Sequence, residues 1–463
     1  MISKIENICC IGAGYVGGPT MSVIADKCPH IQVNVVDINQ ERIDNWNNND
    51  LSQLPIYEPG LKELVKRCRG KNLHFSNNLE DNISKADMIF ISVNTPVKTK
   101  GIGAGMASDL KWVEASARQI KEFAIGETII VEKSTLPVKT AKTIKSILEN
   151  DPSFSEEKIF HVLSNPEFLA EGSAIKDLEF PDRVLIGGEN KKAIELLINI
   201  YLNWVERSKI ITTNLWSSEL SKLVSNAFLA QRVSSINSIS ALCESTGANI
   251  HEVALAVGTD KRIGNEFLKP GPGFGGSCFK KDILNLVYLC DFYGLEEVSS
   301  YWQKVIDMNN WQQKRISNLV VQKLFGSIEN KKIGILGFAF KANTNDIRES
   351  PAINISRDLM EEGAFIKIYD PKVSVEQIKQ ELLRPLNKKY YENTNWKFLG
   401  NIYDACDETD AIIILTDWDE FKNIDWQEIA PRMRKPAWIF DTRSIITSNK
   451  NIRGINIWRT GID

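Results

Sequence analysis

The chain lacks a long hydrophobic run. No stretch approaches the ~18 consecutive apolar residues of a membrane-spanning helix, and MISKIENICCIGAG at the start has no charged segment followed by an apolar core. A cytoplasmic address without membrane contact is the expectation. An excess of either charge is also missing: 56 basic against 59 acidic residues leave a net charge of -3, so there is no basic field for nucleic acid. An anionic ligand must therefore be met by cations placed locally. Histidine is scarce and scattered (His30, His74, His161, His251), and the eight cysteines form no C-x-x-C pair and no Cys/His cluster at zinc spacing. Neither a disulfide framework nor a metal site is expected.

At 463 residues the chain exceeds one ordinary core, so two or three domains are expected. The first opens with a short apolar strand, Asn7 to Ile11, that runs straight into GAGYVGG. Gly12, Gly14 and Gly17 fit G-x-G-x-x-G, a helix begins there, and a second apolar strand ends in Asp37. Strand, glycines, helix, strand and terminal acid at these distances form a dinucleotide-binding signal. The glycines allow a tight turn and close approach of a pyrophosphate to the helix N-terminus. Asp37 would take ribose hydroxyls and repel a 2'-phosphate, which selects NAD over NADP.

Three further apolar runs end in polar tips: Asn94-Thr95-Pro96, Glu132-Lys133-Ser134-Thr135 and Ser164-Asn165-Pro166-Glu167. Alternation of such runs with helical stretches predicts a parallel sheet, and ligands of open α/β sheets bind outside the carboxyl ends of the strands. From about Ser217 to Thr246 the pattern becomes one long helix closed by Gly247, with Lys222 and Asn226 one turn apart on a shared face. A second α/β unit begins at KKIGILGFAFK, where only the first glycine of the fingerprint survives because Ala339 stands in the second place. Lys341 and Arg348 follow its first strand, and Arg443 stands at the tip of its last. Cations so placed suit the phosphates of a different ligand.

Between the long helix and that unit lies GPGFGGSCFKKD, from Gly271 to Asp282. Four glycines and a proline precede Cys278, and two lysines and an aspartate follow it. A free cysteine is most often a small buried hydrophobe, but neighbouring lysines favour the thiolate.

These residues, in this order and spacing, resemble the UDP-glucose 6-dehydrogenase family within the nucleotide-sugar dehydrogenases. The likeness runs almost end to end, through GAGYVGGPT, ISVNTP, EKST, LSNPEFLAEG, SSELSKL, GFGGSCFKKD, LGFAFK, DIRES and FDTR. It implies an α/β chain of two Rossmann-like parallel-sheet domains joined by a long central helix. The expected division is an NAD-binding domain over 1–215, a helical domain with the cysteine loop over 216–328, and a UDP-sugar-binding domain over 329–463. It also implies oxidation of UDP-glucose to UDP-glucuronate with two NAD+ per turnover, in dimers built on the central helix and hexamers as trimers of dimers.

Carried over residue by residue, the likeness implies an NAD site of Gly12, Gly14, Tyr15, Val16, Gly17, Asp37, Arg42, Val93, Asn94, Thr95, Ser134, Thr135, Glu171, Lys281 and Arg348. Substrate would meet Glu167, Phe168, Leu169, Lys222, Asn226, Arg262, Phe274, Gly275, Cys278, Phe279, Phe340, Lys341 and Arg443, the last from a neighbouring face or subunit. In the chemistry so implied, Cys278 adds to an aldehyde and carries the thioester, and Glu167 is the base for hydrolysis. Thr135 and Asp282 position the water, while Lys222 and Asn226 donate to the oxyanion. Position 280 is Lys within GSCFKKD, a departure from the family's pattern that bears on fine geometry. UDP-N-acetylmannosamine and GDP-mannose stay open as substrates of the same chemistry. A two-electron dehydrogenase, or an NAD-binding regulator without chemistry, would not need Cys278, Lys222 and Glu167 together.

Overall fold

The computed structural model describes residues 2–135, 137–149, 158–383, 395–446 and 452–462. The chain forms two compact units: residues 1–225 with 284–292, and residues 226–283 with 293–463.

The first unit is built on an eight-stranded sheet. Its strands are β1 (Asn7–Ile11), β2 (Gln32–Val36), β3 (Leu73–Ser76), β4 (Met88–Ile91), β5 (Glu127–Glu132), β6 (Ile159–Ser164), β7 (Val184–Gly188) and β8 (Ile210–Thr213). Their order is β3-β2-β1-β4-β5-β6-β7-β8. Ile8 to Ile11 in β1 and all of β4 are buried, as strands covered on both faces must be. β1 pairs in parallel with β2 on one side and β4 on the other, which places the topological switch at the carboxyl end of β1, where the glycine loop begins. The polar tips of β4, β5 and β6 are neighbours along that same edge. One pairing departs from the expected parallel pattern, because β7 runs antiparallel to β6. Apolar periodicity shows that a segment is a strand, and says nothing about its direction.

The second unit carries a six-stranded parallel sheet: β9 (Lys332–Leu336), β10 (Phe365–Tyr369), β11 (Trp396–Phe398), β12 (Ala411–Ile414), β13 (Ala437–Asp441) and β14 (Ile455–Arg459), ordered β11-β10-β9-β12-β13-β14. Its apolar core includes Ile333, Ile335, Ile366, Ile368, Ile413 and Phe440. At the turn after β9, the Asp370 carboxylate accepts the amides of Phe338 at 2.7 Å and Ala339 at 3.0 Å.

The long helix runs over Leu215–Thr246, two residues ahead of the expected start. Leu223, Ala227 and Ala230 are buried, whereas Phe228 and Leu242 are 54% and 57% exposed, so part of its apolar surface faces outward. Two more helices follow Cys278 in sequence, Phe279–Phe292 and Glu296–Lys323.

Candidate active site

In the first unit the glycine loop is held from both sides. Gly12 has φ +110°, and a Cβ there would run into the carbonyl of Ser92; a Cβ at Gly17 would run into the carbonyl of Gly12. Over Gly14 there is open space, with nothing within 4 Å of a notional Cβ. Asp37 accepts the amide of Ala13 at 2.9 Å, and Trp46 Nε1 donates to the Ala13 carbonyl at 3.0 Å, so both backbone groups of that residue are fixed. Asp37 also accepts the Asn39 amide and pairs with Arg42 at 2.9 Å. Val16 precedes the helix Gly17–Lys27, and Tyr15 packs against the core beside it. Thr95 Oγ1 donates to the Thr135 carbonyl at 3.1 Å, and Ser134 Oγ to that of Val93 at 2.7 Å, which ties the tip of β4, where Asn94 also lies, to the tip of β5. A fixed turn, an open cradle over Gly14, a helix N-terminus and an acid at the end of β2 fit a dinucleotide.

Beside this loop the tip of β6 presents Glu167. Its carboxylate pairs with Lys222 at 3.2 Å, both side chains 5% exposed, and accepts the amide of Leu169 at 2.8 Å. Phe168 is clasped between cations, with the Arg183 guanidinium 3.8 Å and the Lys222 ammonium 5.4 Å from its ring. Glu171 lies in the following turn, where buried Glu58 accepts the amides of Gly172 at 2.7 Å and Ala174 at 3.1 Å. Below the tips, Glu132 is fully buried, and burial first, then the Glu219 charge, push its carboxyl well above the ordinary carboxylate range. Glu219 in turn accepts the amides of Lys139 at 2.7 Å and Ala141 at 2.8 Å.

In the second unit the cysteine loop is pinned rather than pliable. Asn237 accepts the amide of Gly271 and Gln312 donates to its carbonyl, at 2.8 and 2.9 Å. Asn309 does both for Phe274, at 2.8 and 3.1 Å. Gly276 has φ +86°, donates to the Arg348 carbonyl at 2.8 Å, and lies so close to the Phe340 ring that a Cβ would crowd it. Cys278 stands immediately before the helix Phe279–Phe292, where unpaired N–H groups favour negative charge. It is the only one of the eight cysteines that is not buried. By contrast, burial pushes the thiols of Cys9 and Cys406 up to about 12. The Asp282 carboxylate accepts from Asn226 Nδ2 at 2.6 Å and has Lys281 at 3.9 Å. Lys280 is paired instead with Glu349 at 2.8 Å.

A cavity of about 280 Å³ opens in this unit, lined by Phe267, Phe274, Gly275, Phe279, Phe340, Lys341 and Arg443, with Lys269 and Glu266. Arg443 is held by the carbonyls of Leu415 at 2.8 Å and Phe340 at 3.2 Å and lines the cavity of its own chain. Arg262 behaves otherwise: its side chain is 88% exposed, pairs with Asp260 at 2.6 Å, and does not line the cavity. Arg348 is held in a bidentate pair by Asp346. Sequence reasoning passed over Lys269, paired with Asp417 at 3.3 Å, and the amide clamp of Asn309 and Gln312. Both left a signal: Lys269 directly precedes PGPGFGG, and NNWQQ puts uncharged amides where an amphipathic helix would bury apolar residues.

The dinucleotide loop of the first unit, with paired acid and base groups at its strand tips, is what an NAD-dependent dehydrogenase requires, and an accessible thiol is what a four-electron member of that class adds. Family models agree. The NAD-binding domain of the UDP-glucose/GDP-mannose dehydrogenase family matches residues 6–205, its central domain 216–311, and its UDP-binding domain 334–448. The chain belongs to that family. It is 56% identical to UDP-glucose 6-dehydrogenase of Bos taurus over 97% of this chain and 91% of that one. It is 54% identical to UDP-glucose 6-dehydrogenase 4 of Arabidopsis thaliana over 96% and 94%. Among solved structures, a UDP-glucose dehydrogenase from the archaeon Pyrobaculum islandicum superposes with a TM-score of 0.84 at 28% identity, covering 99% of this chain and 98% of that one.

Proposed function

We propose that the protein oxidises UDP-glucose to UDP-glucuronate, with the nucleotide's diphosphate met by Lys341 and Arg443. The division of labour we propose is an NAD-binding part over 1–215, a catalytic part over 216–328 and a UDP-sugar part over 329–463. Near-full-length likeness to animal and plant enzymes of this activity supports the substrate. The observation that carries the four-electron course is the setting of Cys278, a half-buried thiol ahead of a helix in a chain whose other cysteines are all buried.

NAD, when bound, accepts a hydride at each of two oxidations. The residues do the rest. Once C6 is an aldehyde, Cys278 Sγ adds to it, forming the C–S bond, and the carbonyl oxygen takes up a proton; Lys222 and Asn226 donate hydrogen bonds to that oxygen. Loss of the second hydride and of the hydroxyl proton leaves a thioester. Glu167 then takes a proton from a water set by Thr135 and Asp282, the water oxygen bonds to C6, the C–S bond breaks, and Cys278 departs as thiolate. The 3.2 Å pair of Glu167 and Lys222 suits this sequence, because it holds a carboxylate beside an ammonium with further protons to give.

The test is stoichiometric. Unaltered protein with UDP-glucose and NAD+ is expected to give two NADH per UDP-glucuronate, and Cys278→Ser to stall or give a single hydride. Four-electron turnover by the serine variant would sink the covalent scheme, and faster turnover of UDP-N-acetylmannosamine or GDP-mannose would reassign the substrate. We propose further that the chain forms dimers, and hexamers from them, through the outward apolar surface of its long helix, which Phe228 and Leu242 support.

A further inference from the structure

Lys133 is buried at 3% exposure at the end of β5, and among the described residues no carboxylate pairs with it. Its ammonium donates to Asn165 Oδ1 at 3.0 Å and to the Tyr201 hydroxyl at 3.3 Å, and stands 5.9 Å from the centre of the Tyr201 ring. Tyr201 donates its own hydrogen to Asn165 Oδ1 at 2.6 Å. Asn165 Oδ1 thus accepts twice, its side-chain amide donates to the Leu185 carbonyl at 2.8 Å, and its backbone amide donates to the Glu132 carbonyl at 2.8 Å. The Lys133 backbone amide donates to the Ile91 carbonyl at 3.0 Å. All three residues are buried, and Tyr201 belongs to the apolar cluster that includes Leu163, Ile186 and Leu197.

A buried ammonium with only neutral partners is expensive compared with an apolar residue of the same volume, so stability alone does not explain it. Direction does. Its hydrogen bonds join the last turns of β5 and β6 to the helix Lys191–Tyr201, and each strand has its candidate catalytic residue two positions further on: Thr135 after Lys133, Glu167 after Asn165. An apolar contact slides, whereas an ammonium shared between two oxygens, one of which is shared again, fixes both strand tips in distance and rotation.

We infer that Lys133, Asn165 and Tyr201 form a positioning triad that aligns Thr135 and Glu167 for attack of water on the thioester. The inference rests on the proposed reaction and adds residues that do not touch its reacting atoms. Removing the Tyr201 hydroxyl leaves the ammonium with one acceptor instead of two and draws it toward Asn165, displacing the tip that carries Glu167. Thr135 belongs to the implied NAD site and Glu167 to the implied substrate site, so binding feels the same shift, but the water-dependent step needs both residues at once and is expected to lose most.

Tyr201→Phe is the mild variant and Lys133→Met the severe one. For Tyr201→Phe, kcat should fall about tenfold, the scale of a sub-ångström displacement of a catalytic group, and KM for UDP-glucose should fall with it as the thioester accumulates, leaving kcat/KM within about twofold. The stalled enzyme should show a burst of two NADH per subunit and a covalent adduct on Cys278 by intact mass. Unchanged kcat would overturn the proposal. So would a fall in kcat without adduct, or a fall in kcat with raised KM values and a lowered melting temperature, which a merely structural role would give. If Lys133→Met fails to fold, Tyr201→Phe alone decides. Failure of the underlying reaction shows differently, as absence of NADH from the unaltered protein with UDP-glucose, and it removes the triad's role with it.

Discussion

A carboxyl group buried against another carboxyl group is tolerable only while one of them keeps its proton, and Glu132 beside Glu219 is in that position. Folding raises the Glu132 pKa above its ordinary 4.5, so the folded protein holds a proton that the unfolded chain has already released. The contribution to stability is therefore complete below that value and drains away as the pH climbs toward the raised pKa. The melting temperature should fall with rising pH across that window, by about 3–5 °C per pH unit for one proton in a domain of this size. Glu132→Gln keeps the shape without the titration, and its melting curve against pH should be flatter than that of the unaltered protein. Parallel curves would mean that the pair is not the source. Nothing in the sequence announced this: Glu132 reads as one more polar residue at a strand tip, because a charge's cost depends on what is folded around it.

At the scale of elements, the cysteine loop shows how backbone and side chains divide the work. Gly276 has φ +86° with the Phe340 ring against it, a place where any side chain meets both backbone strain and a steric wall. Gly276→Ala should cost roughly 1–3 kcal/mol of stability and reduce NADH formation with it, measured by thermal melting and steady-state assay; a neutral outcome would show that the loop relaxes. The glycines were legible as a pattern, and so was β1, whose apolar run coincides with the strand residue for residue. The clamp of Asn237, Asn309 and Gln312 was not, since amides far along the chain become partners of the loop only through folding. The same holds for Glu167 and Lys222, each legible in its own motif while their mutual pairing was not, and for the direction of β7. Arg262 and Arg443 looked alike as cations for a diphosphate; in the folded chain Arg443 is held by backbone carbonyls at the cavity, whereas Arg262 is exposed and paired with Asp260.

For the whole molecule, the apolar residues left outside a core carry the most information. Phe228 and Leu242 on the long helix, and Tyr301 and Trp311 on the helix Glu296–Lys323, are between 46% and 57% exposed. Large side chains left in water across neighbouring elements suit the association surface proposed above. Light scattering should give a mass of at least two chains, and Leu242→Asp should shift it toward one while leaving the far-ultraviolet circular dichroism unchanged. A monomer in the unaltered protein would refute that reading. The census of sulfur has a further consequence. Seven thiols are sealed in cores and one is not, so toward an electrophile in water this chain behaves as though it had a single cysteine. Covalent chemistry aimed at sulfur is thereby self-addressing, delivered to Cys278 by the packing of the other seven.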